Sequence, residues 1–238
     1  MAFVRASQSL ANYYCPLNAV LGYLEYPLKV QLSAKEDLEL SQKNITNVIG
    51  GLASKEYSEL NNAVLNILRN VVQEISRLIA SIDELEYASL HTRNIFELYL
   101  ILTHVYSDTE ALSRWYGQLH RDSEQVRDGF RKLLVRKGLD TSSLDEVKEF
   151  EDNALKISPY SSERNFNIAY LAKTYGYEDD YSFVYKLSSK LVHPSSMKVN
   201  FYNILTDNNK YLSVIVPIAM FFGQKVEKLA LKIGGEVA

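Results

Sequence analysis

Cysteine is almost absent: Cys15 is the only one among 238 residues. No disulfide can close within the chain, and a reducing, cytoplasmic compartment is expected. Five prolines and ten glycines leave long stretches unbroken. Sustained period-two alternation is missing too, which argues against a sheet. The apolar run from Tyr211 to Phe222 falls well short of the roughly 20 residues a membrane-spanning helix needs, and Pro217 interrupts it. It reads as a buried core helix, with no membrane association. The first residues lack the basic, apolar and small-residue order of a secretory signal. Net charge is only −3, so no overall basic field draws the chain to nucleic acid or anionic lipid.

Several chemical signatures are also missing. There is no His-Glu-x2-His, no Glu-x2-His pair of the di-iron type and no cysteine pair. No Gly-x4-Gly-Lys-Ser/Thr or Gly-x-Gly-x2-Gly is present either. Neither a metal nor a nucleotide cofactor is expected.

What the chain does have is apolar residues at helical spacing almost throughout, which predicts an all-α, multi-helix bundle. Residues 2–14 suit a helix ended by Cys15-Pro16, and Pro27 marks a further break. Ser33 is placed to cap a helix beginning at Ala34, which Gly50-Gly51 would end. An amphipathic helix is predicted from about Glu56 to Ile82, with Val64, Leu68, Val71, Ile75 and Leu78 on its apolar face. Residues 86–106 predict a central helix, apolar on nearly all sides.

Asp108 should cap the next helix, and Gly138 should end it after Lys137. A shorter acidic helix follows from Ser143 to about Lys156, then a linker at Ser158-Pro159. Ser161 or Ser162 would cap a helix closed by Gly176. Asp179 or Asp180 would open one that ends at His193. Asp207-Asn208-Asn209 would introduce the last helix, with Gly234-Gly235 beyond its end. Residues 1–55 read as an N-terminal helical layer or oligomerisation arm, and residues 56–238 as the bundle core.

Two polar stripes interrupt this apolar pattern. Arg93 and Glu97 lie one turn apart, with His104 further along nearly the same face. Tyr185, Ser189 and His193 recur every fourth residue on a later helix, and Pro194 stops it. Polar groups on buried faces need partners. The expectation is that the stripes satisfy one another, with a guanidinium or carboxylate of the first bonded to a polar atom of the second. Such a centre can lock helices in register. It can also form a site, in which His193 at a helix C-terminus handles a proton near neutral pH.

The segments Arg93-Asn94-Ile95-Phe96-Glu97 and Tyr185-x3-Ser189-x3-His193-Pro194 resemble the bacterial helical family catalogued as domain of unknown function 5677. The resemblance covers about residues 60–230. It implies a helical fold with a shared polar centre and supplies no activity. Separately, Arg114-x5-His120 is similar to the Arg-x4–6-His pattern of the HEPN ribonucleases, although Trp115 follows the arginine where a polar residue is usual. That resemblance implies a homodimer cutting RNA without metal at its dimer cleft, as a toxin or phage-defence component. His193 or His120 would then act as acid or base, and Arg93 or Arg114 would stabilise phosphate charge.

Arg121, Arg127, Arg131, Lys132, Arg136 and Lys137 make one helix locally basic. Interleaved Asp122, Glu124 and Asp128 favour a solvated, salt-bridged face over a phosphate contact. The clustered tyrosines, among them Tyr177, Tyr181 and Tyr185, read as packed rings with bonded hydroxyls rather than base-stacking platforms. Two functions stay open: a non-catalytic protein whose polar centre is structural and which binds a partner or small ligand, or the RNase.

Overall fold

The apolar repeats resolve into nine α-helices and no strand among the residues that the computed structural model describes, 27–157, 166–206 and 211–236. They are α1 (Pro27–Ala53), α2 (Glu59–Ala80), α3 (Leu85–Ser107), α4 (Thr109–Lys137), α5 (Ser142–Ile157), α6 (Ile168–Thr174), α7 (Glu178–Val192), α8 (Ser196–Thr206) and α9 (Leu212–Glu236). The expected helix at 2–14, the Ser158-Pro159 linker, the Ser161 or Ser162 cap and the Asp207-Asn208-Asn209 start lie outside the described residues.

Local capping fixes several boundaries. The Ser58 hydroxyl accepts the Asn61 N–H at 3.0 Å, so α2 begins after Ser58 and not at Glu56. Asp108 accepts the Glu110 N–H at 2.9 Å and opens α4 as expected. Gly138 ends α4 with φ 65°, a left-handed conformation that glycine adopts without steric cost. The acids Glu178, Asp179 and Asp180 fill the first turn of α7, which starts one residue before the expected cap. His193 turns extended at the end of α7, as Pro194 demands.

Elsewhere packing overrides the local signals. Helix α1 runs straight through Ser33 and through Gly50-Gly51. Its buried face, Ala34, Leu38, Ile45 and Leu52, is held against α9 and α2, which offsets the glycines' poor helix propensity. Helix α9 likewise carries Pro217 and Gly234-Gly235 inside it. A Cβ on Gly234 would meet Val48 of α1 at 3.3 Å, so this glycine lets the two helices approach closely. Helix α5 begins at Ser142, one residue ahead of the expected Ser143 cap, because Asp140 takes the Ser142 N–H at 3.1 Å. The sequence reading had no place for α8. It starts where the Ser195 hydroxyl accepts the Lys198 N–H at 3.1 Å, immediately after Pro194.

The chain divides into two compact units. One holds α1, α2, α3 to Leu102 and α6 to α9. In it α1 lies along α9 and α2, and α8 packs on α7. From α3, Ile95, Phe96, Leu100 and Leu102 are fully buried. Phe96 stacks on Phe222 of α9 with ring centroids 3.7 Å apart, while Tyr177 and Tyr181 meet it edge-on. Burying one such side chain contributes about 1.5–3 kcal/mol, so this aromatic knot is a principal attachment of α3. The second unit, residues 103–168, is built on the α4–α5 hairpin. There Glu151 takes the Ser123 hydroxyl and the Arg127 guanidinium, and Arg131 meets Asp145 at 2.5 Å.

Candidate functional site

Arg93 and Glu97 project from α3 beside that aromatic knot. Arg93 donates from Nε to Glu97 Oε1 at 2.7 Å, and both side chains are half-buried, 27% and 21% exposed. The Tyr181 hydroxyl of α7 donates to the same Oε1 at 3.3 Å. The guanidinium carbon lies 4.4 Å from the ring centroid of Tyr185, a cation–π stack. The second helix therefore reaches the pair through Tyr181, one turn before the expected stripe, and through the face of Tyr185.

Burial pushes the Tyr181 hydroxyl far above its ordinary pKa, and the Glu97 charge adds to this. It remains a proton donor to the carboxylate. Four side chains thus form one connected cluster, with two donors on the carboxylate, an acceptor for the guanidinium and a ring against it.

Ser189 and His193 are placed differently. Ser189 is half-buried, and its neighbour Ser188 is the fully buried hydroxyl, donating to the Tyr185 carbonyl at 3.2 Å. His193 is exposed at the C-cap of α7. Among the described residues no hydrogen bond joins either of them to Arg93 or Glu97.

His104 belongs to another group, with Asp108 and Arg114. Its Nε2 lies 3.8 Å from the Asp108 carboxylate and 3.5 Å from Arg114, and Arg114 donates to Asp108 at 2.6 Å. Burial holds the His104 pKa below its ordinary value. The nearby Arg114 charge lowers it further, against the opposing pull of Asp108. Arg114 is thereby engaged by the cap of its own helix. His120 is six residues along α4, which turns the two side chains roughly 120° apart around the helix axis, and no hydrogen bond or ion pair joins them among the described residues. The basic character of α4 is largely answered within its unit. Arg127 and Arg131 meet acids of α5, and Arg121 donates to Gln118 at 3.1 Å.

A third group escaped the sequence reading altogether. Glu74 of α2 is buried at 7% exposure. Its Oε2 accepts His91 Nδ1–H and Asn94 Nδ2–H, both at 2.8 Å, and its Oε1 accepts from Arg77. Burial alone would raise this carboxyl. The bonds from His91, Asn94 and Arg77, with the His91 charge, outweigh it and hold the pKa below the usual value. Asn94 follows Arg93 directly, so one turn of α3 serves two centres. The available signal was a glutamate on the apolar face of the predicted helix, three residues after Val71 and four before Leu78.

Among the described residues no group of three or more metal-ligating side chains is clustered, and no helix is long and apolar enough to cross a membrane. Comparison with known proteins finds no match among curated proteins and none among solved structures. Residues 64–211 match the model of a family of unknown function, DUF5677. That span runs from α2 through α8 and contains Glu74, His91, Arg93, Glu97, Tyr181 and Tyr185. Because the match takes in well over half of the 238 residues, this chain belongs to the DUF5677 family.

Proposed function

We propose that the protein works by binding, as a helical scaffold, and that its Arg93–Glu97 centre is a clamp between α3 and α7. The observation that carries this is mutual satisfaction. Glu97 Oε1 accepts from both Arg93 and Tyr181, and Arg93 is stacked on Tyr185. Oε1 is committed twice, so among the described residues only Oε2 is left to meet a substrate proton. The exposed His193 has no described bond to orient it toward the cluster.

The ribonuclease reading assigns the proton to His193 or His120. Both readings are tested by incubating the purified chain with single-stranded and structured RNA beside His193→Ala and His120→Ala. The binding role predicts no cleavage above a buffer control in any of the three. Cleavage that disappears in either variant would overturn it.

A clamp also predicts that Arg93→Met and Glu97→Gln lower thermal stability in the free protein. If both variants melt with the wild type, the centre has no structural task and this reading loses its support.

A further inference from the structure

Helices α1 and α9 run parallel, so their C-terminal ends lie together. Ser41 and Asn44 bond Glu227, and further along both helices Val48 lies against Gly234. Around that contact opens a cleft of about 460 Å³. Small-molecule sites are typically about 300–1,000 Å³. The walls are mostly apolar, with Val48 and Leu52 on one side and Leu231 on the other. Gly51 and Gly235 also line it, and a Cβ on either would meet nothing within 4 Å. Open space therefore stands where two side chains would.

Lys55 is the one charged residue among those described around the cleft. Its Nζ is closed to solvent and has no hydrogen-bond partner among the described residues. An enclosed ammonium without an acceptor is unfavourable. Closing α1 does not require this charge. The Gly51 carbonyl accepts the Ser54 hydroxyl at 2.8 Å, and the Leu52 carbonyl accepts the Asn61 amide at 3.1 Å. Glu227, one turn before Leu231, has both oxygens taken by Ser41 and Asn44.

We infer that this cleft binds a small monocarboxylate with an apolar body. The ligand carboxylate supplies the acceptor that Lys55 lacks, and the ammonium turns to meet it about the flexible end of its side chain. The body lies over Gly51 and Gly235, between Leu52 and Leu231. One cation with no acid beside it in the cleft selects a single negative charge, and the apolar walls select the rest of the molecule. Every residue named in the cleft lies outside the matched span 64–211. The site is thus a property of the outer helices, separate from the Glu74 and Arg93 centres.

Calorimetric titration of the full chain with octanoate, beside its neutral counterpart octanol, is the test. One octanoate per chain is expected, with octanol bound at least about tenfold more weakly. Lys55→Met keeps the stem and removes the charge, so octanoate should fall to the level of octanol. Lys55→Arg should retain the preference. Lys55→Met should also melt no lower than the wild type, because the free protein gives the ammonium no acceptor. Gly235→Leu and Gly51→Leu each place a side chain in the cleft, and either, with an unchanged circular dichroism spectrum, should abolish binding of both ligands. Absence of octanoate binding overturns the inference, as does equal affinity for octanoate and octanol. Binding that survives Lys55→Met or both folded leucine variants does the same, because the ligand is then seated elsewhere. A melting temperature of Lys55→Met several degrees below the wild type would show that the lysine serves the fold and not a ligand.

Discussion

Tyr181 contributes one hydroxyl and one ring edge, and the two can be separated. Tyr181→Phe keeps the edge contact with Phe96 and deletes the bond to Glu97. A bond to a charged group is worth about 1.5–3 kcal/mol, and this one is long and half-buried, so a loss of about 1 kcal/mol is expected in denaturant titrations. Tyr185→Leu removes the surface under Arg93, with an expected loss of about 0.5–1 kcal/mol. Glu74 makes a sharper prediction. Its folded pKa lies below the ordinary 4.5. The unfolded chain therefore takes up the proton first as pH falls. The stability this carboxylate supplies is complete above about 4.5 and is lost as pH drops from there through the lower folded value. Thermal melts across that window should steepen for the wild type and flatten for Glu74→Gln. At neutral pH the same substitution strips a buried pair of its charge, at a cost of up to about 3–5 kcal/mol. Equal pH slopes for the two proteins would count against this account.

At the scale of the element, what was legible depended on distance along the chain. Asp108 and Gly138 act on backbone groups within a few residues of themselves, so their roles can be read locally. Arg93 and Glu97 share a helical face and were visible for the same reason. Glu74 and His91 are 17 residues apart on two helices, and nothing near either predicts the other. Tyr181 sat in view among the tyrosines. Which of them reaches Glu97 depends on how α7 is rotated against α3, and that is set by the Phe96 packing. Gly50-Gly51 misled because a glycine pair breaks a helix only where tertiary contacts do not hold it. Neither glycine needs its missing side chain, since a Cβ would meet nothing within 4 Å. Gly50→Ala should therefore stabilise α1 by about 0.5–1 kcal/mol. Gly138→Ala also meets nothing, yet it should destabilise by about 1–2 kcal/mol, because φ 65° is unfavourable for any residue bearing a Cβ. The two alanines test space and backbone separately, and melting temperatures moving in opposite directions is the expected result.

For the whole molecule, the family match and the physical core have different limits. The matched span, 64–211, omits α1 and all of α9, since α9 begins at Leu212. Yet α1 lies along α9 more extensively than any other helix pair. Ser41 donates to Glu227 Oε2 and Asn44 to Glu227 Oε1, both at 2.7 Å, tying the two together. Phe222 of α9 is the stacking partner of Phe96, so deleting α9 uncovers the aromatic knot beside the Arg93–Glu97 clamp. Leu38, Ile45, Leu52, Val226 and Ala230, all buried, would be lost with the two helices. Losing a large buried aromatic alone costs about 3–5 kcal/mol, against a total stability of about 5–15 kcal/mol for a domain. A fragment restricted to residues 64–211 should therefore keep helical content but lose the cooperative thermal transition and bind hydrophobic dye. The full chain should retain a sharp transition. If the short fragment melts as cooperatively as the long one, α1 and α9 are an addition to a self-sufficient centre. The clamp would then have to be held by α3 and α7 without the Phe222 stack.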